Sequence, residues 1–74
     1  MILSQLRIGQ SAKIKHIRCD AKTKSRLAYM GVTEGTVVTV IRLSPFNDPI
    51  EIKVRDFYLA IRKNEADKID VYED

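Results

Sequence analysis

His16 and Cys19 stand three residues apart and are the only pair in the chain with a metal-like spacing. The sequence holds one histidine and one cysteine, so the pair is not repeated. Structural and catalytic zinc sites both draw on more protein ligands than a pair supplies. No metal ligand set is therefore expected, and His16 is placed on the surface or at a strand irregularity. Cys19 reads as a small, semi-buried side chain. The carboxylates converge no better. Asp48 lies between Asn47 and Pro49, where a side-chain oxygen accepting a backbone N–H stabilises a turn. Glu65, Asp67, Asp70, Glu73 and Asp74 read as a solvated acidic face and tail. Gly31 and Gly35 are too few, and too far from any Lys-Ser or Lys-Thr pair, for a phosphate loop. Catalysis needs a nucleophile with its base, two placed carboxylates, or a liganded metal. The expectation is a non-enzymatic chain with no catalytic residues and no cofactor.

The frame that must position these residues is small. Seventy-four residues are read as one domain, 1–74. A chain of this size buries only about 60% of its unfolded surface, so its core is thin. Hydrophobic residues make up 45% and charged residues 31%, the balance of a soluble globular protein. No apolar run approaches the roughly 20 residues that span a bilayer, and the N-terminus lacks a secretory pattern. A lone cysteine permits no intrachain disulfide and suits a reducing compartment. The expected location is cytoplasmic, without membrane insertion.

The net charge of +3 conceals an asymmetry. Lys13, Lys15, Arg18, Lys22, Lys24 and Arg26 face only Asp20 within their stretch, a local balance of +5. The rest of the chain sums to −2, and the last ten residues hold five acids against Lys68.

Periodicity orders the elements. Met1 to Leu6 predicts a helical turn with Ser4 as N-cap. Ala12 and Ile14 form one face of a first strand. Ile17 is out of phase with Ile14, which requires a bulge near Lys15-His16. Asp20 or Thr23 caps a helix running to about Met30, and Gly31 ends it. Thr36 to Leu43 is a second strand rich in β-branched residues, stopped at Pro45. Ile50, Ile52 and Val54 alternate with charged residues in a third strand. Phe57, Leu59 and Ile61 lie on one face of a fourth. Asn64 then opens a short helical segment with Asp67 three residues on, and Ile69 to Val71 closes the chain. The fold class is mostly β: a small five-stranded antiparallel barrel, with one short helix after strand 1 and a helical turn before the last strand. Closing so small a sheet removes exposed edges.

The run Arg26-Leu27-Ala28-Tyr29-Met30-Gly31-Val32-Thr33-Glu34-Gly35 resembles the Arg-Leu-x-x-Met-Gly-x-x-x-Gly core of the ferrous-iron transport protein A (FeoA) family. Ser44-Pro45-Phe46-Asn47-Asp48-Pro49, then Leu59-Ala60-Ile61-Arg62, then Glu65-Ala66 with Ile69 and Val71 match in order, from about Leu6 to Val71. The resemblance implies an SH3-like barrel and an accessory role in ferrous iron uptake. The implied partner is the membrane-bound iron permease that carries a cytosolic GTPase domain. Members are often described as binding metal ions, for which this chain offers no ligand set. The family commonly has Gly where this chain has Asn47 and Asp56; both residues tolerate positive φ, so both turns are expected to persist. The barrel also resembles the C-terminal domain of iron-dependent repressors, but no helix-turn-helix precedes it here, which argues against direct promoter binding.

With the signature residues consumed by packing, function is left to the exterior. The basic run Lys13, Lys15, Arg18, Lys22, Lys24 and Arg26 is the candidate partner-binding patch. Val37, Thr39, Ile41 and Leu43 form a candidate apolar stripe on the outer face of strand 2. Two alternatives stand beside partner docking: an RNA-binding barrel using the basic run, and a self-associating module using the stripe. The basic run contains no aromatic, which weighs against stacking on single strands.

Overall fold

The computed structural model describes Met1–Glu73; Asp74, counted above in the acidic tail, lies outside the described residues. A 3₁₀ turn at Leu3–Gln5 leads into β1 (Ser11–Ile17), α1 (Ala21–Tyr29) and β2 (Val37–Leu43). A second 3₁₀ turn at Pro45–Asn47 precedes β3 (Ile50–Val54), β4 (Phe57–Ile61), α2 (Lys63–Ala66) and β5 (Ile69–Val71). The five strands form one antiparallel sheet in the order β4-β3-β2-β1-β5, the expected mostly-β architecture.

β1 makes the sheet bend. Its first half pairs with β2 through Ser11–Lys13, and its second half pairs with β5. Within the half paired with β5, a register shift falls between Ile14 and His16, as the phase of the apolar residues requires. Ala12, Ile14 and Ile17 all reach the core because of it. Inside, Val38 lies opposite Val54 and Val40 opposite Ile52, and all four are fully buried. Such cross-strand β-branched pairs contribute roughly 0.2–1 kcal/mol each beyond their burial.

A second register shift, between Val40 and Arg42, corrects the outer stripe of β2. It returns Leu43 to a position opposite Ile50, packed against the core. Leu43 is therefore an inner residue, and strict alternation misplaced it because a bulge reverses facing. On β4 the face shared by Phe57, Leu59 and Ile61 is not uniform: Phe57 is 64% exposed, whereas Ile61 is buried.

Caps set the helix boundaries. The Thr23 N–H donates to Asp20 Oδ1 at 2.8 Å and starts α1. At its end, Gly31 has φ +88°. The Gly31 N–H bonds to the Ala28 carbonyl and the Val32 N–H to the Leu27 carbonyl, a Schellman closure with Val32 and Leu27 both fully buried. Two expected caps fall elsewhere. Ser4 lies within the first turn, and its hydroxyl donates to Asp67 at 2.5 Å. α2 begins at Lys63, with Glu65 accepting from the Arg62 N–H at 3.3 Å, two residues earlier than the Asn64–Asp67 pairing. Asn47 does hold positive φ (60°), but at the β3–β4 turn the left-handed residue is Arg55 (56°), not Asp56.

The edges differ. The Val71 N–H donates to the Met1 carbonyl, and Ile2 bridges to Asp70, so the N-terminal segment covers β5. Nothing comparable covers β4 among the described residues. The expected removal of edges is thus met on one side only.

Candidate functional site

His16 and Cys19 face different neighbours. The exposed imidazole lies 3.4 Å from the Glu34 carboxylate, and the half-buried Cys19 Sγ approaches the Glu65 carbonyl at 4.0 Å. Burial, followed by the Glu65 charge, pushes the Cys19 thiol above its ordinary pKa. That disfavours the thiolate needed for nucleophilic or metal chemistry. Among the described residues, no group of three or more His, Cys, Asp or Glu side chains is placed to hold a metal ion.

The fold divides the basic run. Arg18 makes a two-pronged contact with Asp70, each bond 3.0 Å, and donates a further bond to the Asp67 carbonyl. The guanidinium holds the Asp70 carboxyl below its usual range, chiefly through these hydrogen bonds. Arg26 pairs with Glu65 on α2. Both arginines thus join the basic N-terminal stretch to the acidic C-terminal one, so the asymmetry of the sequence is partly neutralised by folding. Lys13, Lys15, Lys22 and Lys24 are exposed and make no ion pair among the described residues. Lys15 lies over the Tyr72 ring, 5.6 Å from its centroid. On the outer face of β2, Val37 is 51% exposed, while Thr39 and Ile41 are half-buried. Thr39 shares a 2.7 Å hydroxyl bond with Ser11. Asp48 accepts a backbone N–H as expected, but from Lys63 at the start of α2 rather than within its own turn.

Sequence reasoning missed a third surface. Tyr29, Met30, Phe57, Tyr58 and Leu59 line a shallow groove of about 260 Å³ between the end of α1 and β4. Tyr29 is 94% exposed, and Phe57 and Tyr58 are each more than half exposed. A signal was present: adjacent aromatics on a strand point to opposite faces, so Phe57 and Tyr58 cannot both enter one core.

This combination is a bent sheet with capped turns and a short signature helix anchored by the buried Leu27. Residues 1–73 match the family model described as the FeoA domain. A Porphyromonas gingivalis protein described as an Fe(2+) transport protein A/Fe(2+) transporter FeoB fusion is 31% identical over 71 residues. The match covers 96% of this chain but only 8% of that protein's length. The solution structure of a FeoA protein from Chlorobium tepidum superposes with a TM-score of 0.92 at 33% identity, over 97% of this chain and 69% of that one. A Stenotrophomonas maltophilia FeoA complexed with zinc, described as a prokaryotic SH3 domain protein, gives 0.81 at 26% identity, over 97% and 89%. The fold is therefore SH3-like, and the chain belongs to the FeoA family.

Proposed function

We propose that this chain is a non-enzymatic, cytoplasmic accessory protein of ferrous iron uptake that docks on the cytosolic GTPase-bearing region of the iron permease. The observation that carries this proposal is the fusion relative, in which a segment like this chain is joined to a protein described as an Fe(2+) transporter. Covalent linkage holds two modules at high effective concentration, an arrangement useful to modules that act together.

The physical role follows from what a compact barrel can do. A docked domain biases a GTPase only if it binds its conformations unequally, and the bias cannot exceed that difference in binding free energy. Lys13, Lys15, Lys22 and Lys24, which form no ion pair among the described residues, supply positive charge suited to steering an encounter with an acidic surface. Arg18 and Arg26 are assigned the internal task of holding β5 and α2.

The test is capture of the full permease from membranes by the tagged chain, with and without guanine nucleotide. Capture that changes with nucleotide supports the proposal; no capture under either condition removes it. Replacing Lys22 and Lys24 with Glu should weaken capture several-fold at low salt and much less at high salt, where exposed charges are screened. Unchanged capture would withdraw the lysines while leaving the partnership in place.

A further inference from the structure

The groove beside β4 has a geometry that its lining residues define. Phe57, Tyr58 and Leu59 are consecutive in a strand, so their side chains alternate between the two faces of the sheet. A groove touching all three runs along the strand's backbone edge. Its other wall is Tyr29 and Met30, at the end of α1.

That edge is open. β4 is the last strand of the sheet on its side and pairs only with β3. The two strands are joined by the two-residue turn Arg55-Asp56, with positive φ at Arg55, the backbone signature of a tight hairpin. The closing pair Val54–Phe57 exchanges both ladder bonds, as do Ile52–Leu59 and Ile50–Ile61 by alternation. Tyr58 and Ala60 therefore turn their backbone N–H and C=O groups outward. Neither residue makes a further hydrogen bond among the described residues. Native edges are usually blunted by an inward charge, a proline, a bulge or a covering segment. Phe57-Tyr58-Leu59-Ala60-Ile61 has no charged residue and no proline, and its ladder with β3 is regular throughout.

We propose that β4 is a strand-addition site for an extended peptide segment of a partner protein, apolar at alternate positions and flanked by acidic residues. The peptide would continue the ladder at Tyr58 and Ala60, with its side chains packing against Tyr29, Met30, Phe57 and Leu59. Charge selects this occupant. Segment 53–62 carries Lys53, Arg55 and Arg62 against the single acid Asp56. Lys53 sits over the Tyr58 ring at 5.7 Å, and neither it nor Arg55 nor Arg62 forms an ion pair among the described residues. An acid-flanked strand meets complementary charge there. A second copy of this chain would bring the same excess of positive charge against itself.

The probe is a synthetic peptide of about ten residues, alternating valine and threonine between paired glutamates, titrated into the purified full chain by NMR. The expected result is saturable shifts and slowed hydrogen exchange at the Tyr58 and Ala60 amides. A lysine-flanked peptide should bind at least about threefold more weakly. Replacing Ala60 with Pro removes an outward N–H without removing a β3 bond, so the fold should survive and affinity fall at least about tenfold. If Ala60→Pro does not fold, Tyr58→Lys, at an exposed position, serves as the edge-blunting variant. The proposal is overturned by absence of binding at millimolar peptide, by shifts mapping away from β4, or by undiminished affinity in the edge variant. A concentration-dependent dimer lost in Ala60→Pro would assign the edge to a second copy and overturn it equally. The permease proposal is tested by membrane capture and this one by the isolated chain, so each can fail separately.

Discussion

At the scale of single residues, the chain spends its distinctive side chains on backbone closure rather than chemistry. Gly31 carries the clearest burden. Its φ of +88° lies where a Cβ is disfavoured, and a Cβ built there would meet Val54 Cγ1 at an ordinary 3.5 Å. The demand is thus conformational and not one of space. Gly31→Ala should lower stability by about 1–2 kcal/mol, read from urea unfolding, with the native spectrum unchanged. A loss near zero would mean that the turn relaxes to another conformation. Asn47 shows the same demand met by a different residue, since its φ of 60° suits asparagine. Arg55 does not fit that pattern: it holds positive φ although the aspartate beside it is better suited, and nothing in the sequence marked it. Cys19 belongs here too. Its raised thiol pKa follows from partial burial beside Glu65, the environment of a packing residue rather than a reactive one.

At the scale of elements, α1 hangs on one side chain. Leu27 is its only buried residue, fully enclosed and continuous with Val32 just beyond the cap. Leu27→Ala should cost about 2–5 kcal/mol, a large share of what a domain this small possesses. Calorimetry would show a much lower Tm or no transition; a shift of only a degree or two would mean that α1 is dispensable to the core. The same helix shows what the sequence made legible. Leu27 and Gly31 announce core and stop by local chemistry and act as read, and of the two caps the sequence offered, Asp20 and Thr23, Asp20 is the one used. The β1 bulge was also visible, because Ile14 and Ile17 cannot share a face without it. The β2 bulge was not, since Val37 to Leu43 is apolar or β-branched on both phases apart from Arg42 and shows no break. Leu43 was misplaced for that reason. The groove at β4 was hidden by a related ambiguity: Phe57, Leu59 and Ile61 share one phase of an edge strand, and their spacing does not tell the exposed Phe57 from the buried Ile61.

At the scale of the whole molecule, ends distant in sequence are held together by carboxylates. Asp67 accepts from Ser4 and Asp70 from Arg18, contacts that span 63 and 52 positions of the chain. The Ser4 hydroxyl, with help from Lys63, lowers the Asp67 pKa, and the Arg18 guanidinium lowers that of Asp70. Asp20 is lowered chiefly by the Thr23 backbone N–H at the helix cap. In each case the folded state binds its proton more weakly than the unfolded chain does. The resulting stability is complete above the unfolded carboxylate value of about 3.9 and is lost as pH falls through the lower folded values. The urea midpoint should therefore be nearly flat from about pH 7 to about pH 5 and then decline steeply below about pH 4. Asp70→Asn should begin lower at neutral pH and decline less, so that the two curves approach one another in acid. Added salt should narrow their neutral-pH gap, because Arg18 is exposed and Asp70 only partly buried. Parallel curves down to about pH 2 would instead mean that Asp70 contributes no proton linkage, and that the bond from Arg18 positions β5 without stabilising it.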